Sequence, residues 1–344
     1  HRHISIAAGN VYFRNILFER GATPVIGNGG SLLMTGSTTL VSATNCAFEG
    51  SSVTDRAGAI IVNAGTLELV STTIAASNAG TSGGALVLEN NATGHLTNVT
   101  LSGNSAGTNG GALSIIDSTC TLLNCTLTAN TCDDSGLTGG NGGGIYHAAG
   151  TGTVKVGNTI ITGNLDGSSA GDVFPDVSGI FESLGHNFIG SDDGLDTGSG
   201  TPFTNGVMGD QVETLVNPQL APLANNGGIL STHRLDGASP AIDAGDNRLV
   251  TVPPFPRDTF IRDARGQVRK VNGLVDIGAY EGPPETVVRL IASDATASEW
   301  NASQGSITLQ RSIASGSITV NLTIAPNSTT DSSDYTLQGP NLTV

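Results

Sequence analysis

Apolar positions along this chain come in short runs, and the runs return at a nearly constant interval. Asn15, Asn45, Ser71, Asn98, Asn124 and Asn158 mark a reference column with steps of 30, 26, 27, 26 and 34 residues. Two residues before each stands Phe13, Ala43, Leu69, Leu96, Leu122 or Val156, and three residues after each stands Phe18, Phe48, Ile74, Leu101, Leu127 or Ile161. A second marker, Gly30, Gly58, Gly84, Gly111 and Gly143, keeps the same beat, with an apolar residue two positions further on each time. Self-similarity at such a period marks a solenoid, in which each unit buries its apolar face only by stacking on the next.

Within a unit the apolar sites fall two or three residues apart, as in Val11–Phe18 and Leu96–Leu101. The runs are short, β-branched and bounded by Gly, Asn and Ser, which predicts strands, and no stretch before residue 280 has the period of an amphipathic helix. Strands that each stack on their counterpart one turn later form a parallel β-helix, with coils about 4.8 Å apart. The fold class is therefore all-β. A column stacked on itself places like on like, so Asn15, Asn45, Asn98, Asn124 and Asn158 are expected to form a corner ladder of mutually satisfied amides.

Composition agrees with thin, tightly cornered coils: 48 glycines, 12% charged residues and 4% aromatic residues. The regular apolar columns argue against a disordered Gly/Ser-rich chain. A net charge of −15 disfavours nucleic acid or an anionic membrane as partner, because both require basic surface. No run of 18 apolar residues is present to span a bilayer. The chain opens on His1-Arg2-His3-Ile4 in strand-like alternation without Met, so residues 1–344 are expected to belong to a longer precursor. Cys46 and Cys125 stand three coils apart and are expected to fill the interior as small apolar residues. Cys120 and Cys132 share one coil, where either a disulfide or two free thiols fits.

Gly83-Gly84-Ala85-Leu86 and Gly110-Gly111-Ala112-Leu113, with Leu101-Ser-Gly-Asn104, Leu127-Thr-Ala-Asn130 and Ile161-Thr-Gly-Asn164, resemble the GGA[ILV] and FxxN repeats of polymorphic outer-membrane-protein adhesins. That resemblance implies a pectin-lyase-like, right-handed parallel β-helix over residues 1–171. Ser183–Gly190, Leu223–Gly228, Ser239–Gly245, Asp263–Gly266 and Asp276–Glu281 follow in an order similar to the choice-of-anchor Q domain of large secreted bacterial surface proteins. Residues 172–282 are accordingly expected to form terminal coils and a cap. Asp243, Arg265, Asp276 and Glu281 bring opposite charges into a charge-poor chain, and Arg265 is expected to pair with Asp243 or Asp276 to lock that cap.

After Pro283-Pro284 the alternation becomes strictly period two, at 306–311 and 317–324, as in a sheet exposed on one face. With Ala297-Ser-Glu299 and Ser333-Asp-Tyr-Thr-Leu337, residues 283–344 resemble the first half of a Calx-β sandwich. The resemblance implies Ca²⁺ ligation by Glu299 and Asp334, a site left incomplete because the ion takes six to eight oxygens. A half-sandwich also leaves edges that a further strand could pair, which opens self-association into a filament.

The parallel β-helix also serves polysaccharide lyases and hydrolases, whose chemistry needs convergent carboxylates or an acidic Ca²⁺ cluster beside a base. Asp133-Asp134, Asp192-Asp193, His95, His147, His186 and His233 reproduce no such motif, and paired Asp residues in Gly-rich loops are commonly turn formers. His147 falls where other coils have Met34, Val62, Leu88 and Ile115, which predicts a structural histidine. The sequence thus points to a non-catalytic extracellular or cell-surface module that presents a rigid stalk to a surface or matrix ligand, carbohydrate among the candidates. Polysaccharide binding or degradation is the first alternative and a filament subunit the second.

Overall fold

In the computed structural model the described residues are 1–23, 27–133, 139–169, 173–196, 201–213, 217–250, 261–271, 273–282, 288–294, 306–311, 319–321 and 341–343. The chain divides into two compact units, His1–Gly282 and Pro283–Val344. The first unit is a parallel β-solenoid. A single 3-10 turn, Asn247–Val250, interrupts the β-structure.

The coils contribute in order to a first, a second and a third sheet, and five of them add a strand to a short fourth. The first sheet stacks Ile4–Ile6, Leu32–Met34, Ile60–Asn63, Leu86–Glu89, Leu113–Ile115, Ile145–His147, Val177–Gly179 and Gly194–Leu195. The second stacks Asn10–Arg14, Leu40–Thr44, Thr66–Val70, Thr93–Thr97, Thr119–Leu123, Val154–Gly157 and Glu182–Gly185. The third runs from Leu17–Glu19 through Ala47–Glu49, Thr73–Ala75, Thr100–Ser102, Thr126–Thr128, Ile160–Ile161 and Phe188–Ile189 to Gln211–Val212. The fourth consists of Ser52–Val53, Asn78–Ala79, Ser105–Ala106, Thr131–Cys132 and Leu165–Asp166. All neighbouring pairs in these sheets are parallel, so the backbone polar groups of inner coils are satisfied from both sides.

The register places like positions in single files. Phe18, Phe48, Ile74, Leu101, Leu127, Ile161 and Ile189 succeed one another across the third sheet, all buried. Phe18 and Phe48 stack with ring centroids 4.6 Å apart. On the second sheet, Phe13, Ala43, Leu69, Leu96, Leu122, Val156 and Ser183 form the parallel inner file. These files make one continuous core, the arrangement that the repeat spacing predicts.

The reference column turns out to serve the backbone. Asn15, Asn45, Ser71, Asn98, Asn124 and Asn158 all have φ between 44° and 56°, and His186 extends the series into the next coil at 55°. Each is a single left-handed residue that turns the chain from the second sheet to the third, a conformation Asn tolerates better than most residues. Their side chains do not form the continuous ladder expected of them. Asn15 is exposed and Asn45 half-buried. An amide–amide hydrogen bond joins Asn158 to Asn124, at 3.1 Å, at the far end of the column.

The amide ladder lies one corner later, inside the coil, on the asparagines that close the FxxN motifs. The Asn104 Nδ2 donates to Asn130 Oδ1 at 2.9 Å, Asn130 Nδ2 to Asn164 Oδ1 at 2.8 Å, and Asn164 Nδ2 to Asp176 Oδ1 at 2.8 Å. The same side chains' oxygens accept the backbone N–H groups of Ser77, Asn104, Asn130 and Asn164. A glycine file fixes the approach of the coils: a Cβ on Gly58 or Gly84 would lie 2.1 Å from the carbonyl oxygen of Gly84 or Gly111 in the next coil.

Residues 172–282 fall into two parts. The segment up to Val212 adds further turns to the stack. Phe181 and Phe203, both buried, pack at 5.5 Å at that end of the core, and the Ser183 N–H donates to the Thr201 carbonyl at 2.7 Å. The described residues of 218–250 and 261–282 form a strap against the outer face of the third sheet. Thr73 Oγ1 donates to the Ser231 carbonyl, Thr126 Oγ1 accepts the Ala279 N–H, and the Gly278 N–H donates to the Asn158 carbonyl. Ile160 and Phe188 of the coils pack with Leu235, Ala241, Ile277 and Tyr280 of the strap.

In the second unit, Val288–Asp294 pairs antiparallel with Ser306–Arg311, and Thr319–Asn321 with Asn341–Thr343. Glu299 and Asp334 lie outside the described residues.

Candidate functional site

The three main faces of the solenoid differ in what covers them. Outside the first sheet, Ile61, Val87 and Ser114 are almost fully buried; Ala57, Ile61, Val87 and Leu33 form a satellite apolar cluster, and Arg56 pairs with Glu89. The third sheet lies under the strap, where Thr73, Thr100 and Thr126 are buried. The second sheet keeps its outward side chains at least partly exposed along most of its length. In the pleat they alternate with the inner file, so the register stacks Tyr12, Ser42, Glu68, His95, Thr121, Lys155 and Glu182 in one outward line.

At coil spacing this line extends over roughly 30 Å. Tyr12 is 55% exposed at one end, and Lys155 Nζ pairs with Glu182 Oε1 at 3.0 Å at the other. Burial holds the His95 imidazole below its ordinary value, against the opposing pull of Glu68. Thr119 donates to Thr93 alongside, at 3.4 Å. Carboxylates, a cation, an imidazole and hydroxyls are thus spaced along a line and do not converge on a point. Such a face offers repeated hydrogen bonds to an extended, hydroxyl-rich or peptide ligand; it has neither the paired carboxylates of a glycosidase nor their separation across a cleft.

The remaining ionisable groups singled out in the sequence are mostly engaged with backbone. Asp133 Oδ2 accepts the Gly139 N–H at 2.9 Å, and Asp166 accepts from Ser168 and Phe174; Asp134 lies outside the described residues. His147 is buried, with Nδ1 2.6 Å from the Ile180 carbonyl and its ring edge-on to Phe181. His186 Nδ1 meets the Ala244 carbonyl at 2.7 Å. His233 lies between the Ala221 carbonyl (2.8 Å) and Ser102 Oγ (2.9 Å), and burial lowers its pKa. Asp192 and Asp193 face Glu213, whose carboxyl they push up, Asp192 chiefly. Among the described residues no group of three or more His, Cys, Asp or Glu side chains is gathered to hold a metal ion. All four cysteines are free and buried, so Cys120 and Cys132 form no disulfide, and burial pushes the Cys125 thiol up to about 12.

Within the strap, Arg265 is 2.6 Å from Asp263, a partner two residues away, in place of the expected Asp243 or Asp276. Its guanidinium also donates to the Asn226 carbonyl and lies 3.7 Å from the Tyr280 ring centroid. The Asp243 side chain is exposed; its N–H donates to Asp276 Oδ1 at 2.7 Å. Asp276 and Glu281 are buried together, and the Asp276 N–H donates to Glu281 Oε2 at 3.0 Å. The cation that joins strap to coil is Arg269, fully buried, donating to Asn98 Oδ1 at 3.0 Å and to the Gly278 carbonyl at 2.8 Å. Nothing in the sequence singles it out, since it is one of four cations within 262–270.

No protein-family model, curated protein or solved structure matches this chain.

Proposed function

We propose that this chain is a non-catalytic structural or adhesion module of a large, exported bacterial surface protein, with the solenoid as a rigid stalk and its second sheet as the contact face. The observation that carries this reading is the contrast between faces: the outward line from Tyr12 to Glu182 keeps every side chain at least partly exposed, whereas Ile61, Val87 and Ser114 outside the first sheet and Thr73, Thr100 and Thr126 outside the third are buried. The engagement of Asp133, Asp166, Asp176 and Asp210 with backbone N–H groups supports the absence of turnover, because such carboxylates serve as acceptors for their own coils. The sequence resemblance to surface adhesins and to the choice-of-anchor Q domain supplies the compartment, and the resemblance of 283–344 to a Calx-β domain suggests Ca²⁺ at Glu299 and Asp334 once that domain is complete.

The test is binding of the purified chain to immobilised glycans, matrix proteins and whole cells, beside a Glu68→Ala, His95→Ala, Lys155→Ala variant. Saturable binding lost in the variant supports the reading; binding that the triple change leaves intact refutes the assigned face. Polysaccharide binding or degradation is a second reading, and the linear spacing of hydroxyl, carboxylate and imidazole groups favours its binding half. A reducing-end assay on acidic and neutral polymers separates it, since binding without new reducing ends leaves the non-catalytic module standing.

A further inference from the structure

The strap is attached to the coils by a different chemistry from that which holds the coils together. Coil meets coil through complete backbone ladders and one continuous core. The strap rests on one small apolar cluster, a backbone bond from Gly278 to Asn158 and side-chain hydrogen bonds: Arg269 to Asn98, Asn98 Nδ2 to the Arg262 carbonyl at 2.8 Å, Asp246 with Asn158, and Thr73, Ser102 and Thr126 of the third sheet with Ser231, His233 and Ala279. Elements joined by fewer apolar contacts open at lower free energy than the body they cover.

The charge inside that attachment does not balance without a proton. Asp263, Asp276 and Glu281 are almost fully buried beside Arg269, itself fully buried, and Arg265, nine-tenths buried. Three ionised carboxylates against two guanidinium groups leave one uncompensated negative charge in a water-poor site, which is strongly unfavourable. We propose that the strap is a proton-held latch: one proton kept within the Asp276–Glu281 carboxyls holds the described strap residues of 218–250 and 261–282 on the third sheet, and release of that proton lets the strap open while the coils remain folded.

Glu281 is the seat of the proton. Burial, and then the neighbouring Asp276, push its carboxyl up to about 8, against the opposing effect of Arg269 at 3.8 Å. Its carboxyl faces Asp276 and Arg269; Asp243 acts on Asp276, Arg265 pairs with Asp263, and Cys125 of the coils faces Arg269. Opening returns Glu281 to its ordinary value of 4.5. The closed state is therefore favoured fully below that value, loses ground by about tenfold per pH unit above it, and levels off beyond about 8. Asp276, also raised by burial, acts in the same direction. His233 acts oppositely: burial lowers its pKa from 6.5, so acidification below that value favours opening. Between pH 6.5 and 8 the carboxyl proton dominates.

Trypsin reads the latch directly, because Arg269 is cleavable only after the strap opens. Cleavage at Arg269 of the full chain is followed by mass spectrometry from pH 6.5 to 8, normalised to an unstructured peptide of the same sequence, with Lys155 on the coils as the control site. The expected result is a rise of roughly tenfold at Arg269 in the native chain, no more than about threefold in Glu281→Gln, and a flat rate at Lys155. A flat native profile, an equal rise in Glu281→Gln, or a parallel rise at Lys155 overturns the latch. Should Glu281→Gln expose Lys155 at every pH, the native profile at the two sites decides alone.

Discussion

Asn158 and Asp246 hold each other through both ends of one side chain: Asn158 Nδ2 donates to the Asp246 carbonyl at 3.0 Å, and the Asp246 N–H returns to Asn158 Oδ1 at 2.7 Å. Asn158 is at the same time the left-handed corner residue of its coil, with φ of 48°. Two requirements, one of the solenoid and one of the strap, fall on one asparagine.

Substitutions separate the two. Asn158→Gly keeps the φ and loses both strap hydrogen bonds together with the one to Asn124; Asn158→Ala loses the same three and adds the steric penalty of a left-handed alanine, about 1 kcal/mol. Each buried strap group left unpaired costs about 1–3 kcal/mol. In urea unfolding, Asn158→Ala is expected to lose roughly 3–5 kcal/mol and Asn158→Gly about 1 kcal/mol less. Asn15→Ala, at an exposed corner with φ of 54°, should lose only about 1 kcal/mol. Equal losses at positions 15 and 158 contradict the dual role.

The inner ladder predicts a larger, non-local effect. Asn130 Oδ1 accepts both the N–H and the Nδ2 of Asn104, while its own amide donates to Asn164 and to the Leu101 carbonyl. Asn130→Ala removes one member and leaves groups of two neighbouring coils unpaired in a dry interior. The expected loss is roughly 3–5 kcal/mol, and Asn104→Ala in the Asn130→Ala background should cost much less than it does alone. Additive losses in that double-mutant cycle would show that the amides act independently.

Glycine positions provide a steric contrast. At Gly84 an added Cβ meets the Gly111 carbonyl oxygen at 2.1 Å, so Gly84→Ala must push neighbouring coils apart and is expected to prevent folding or to cost well over about 3 kcal/mol. At Gly103, with φ of 64°, the added Cβ meets nothing within 4 Å. Ala76 and Ala129 already occupy the same corner at φ of 52° and 58°, so Gly103→Ala should cost only about 1 kcal/mol. Soluble expression and thermal melting of the two variants check the pair.

The coil period and the inward files were legible because they follow from spacing alone, and Phe18 to Ile161 stack as the repeat requires. What the Asn column does was not, because a polar residue recurring at a corner fits either a side-chain ladder or a left-handed backbone, and spacing is the same for both. The signal that separates them was present: Ser71 interrupts the column, and a serine keeps a tight corner but breaks a chain of amides. The strap was hidden for a different reason. Its contacts join Asn98 to Arg269 and Ser102 to His233, across 171 and 131 residues, and no local pattern reports a pairing of that range. Arg265 carried the misleading signal, since the nearby Asp263 satisfies it before Asp243 or Asp276 can.

Asp176 closes the amide ladder with a carboxyl and thereby makes the stack pH-sensitive. Its Oδ1 accepts from the N–H and Nδ2 of Asn164, and its Oδ2 from the Ser191 N–H. Burial outweighs those hydrogen bonds and pushes the carboxyl up from 3.8 to about 6. A carboxyl raised in the folded state stabilises most below pH 3.8, and that contribution falls away as pH rises toward 6, at about 1.4 kcal/mol per pH unit. Asp176→Asn has no proton to lose, while its amide no longer accepts from Ser191. Its stability at low pH should therefore fall below that of the native chain, and the deficit should shrink by roughly 2–3 kcal/mol between pH 4 and 6.5. Urea midpoints of both proteins across that range measure the difference, and a deficit constant with pH would place the titration elsewhere.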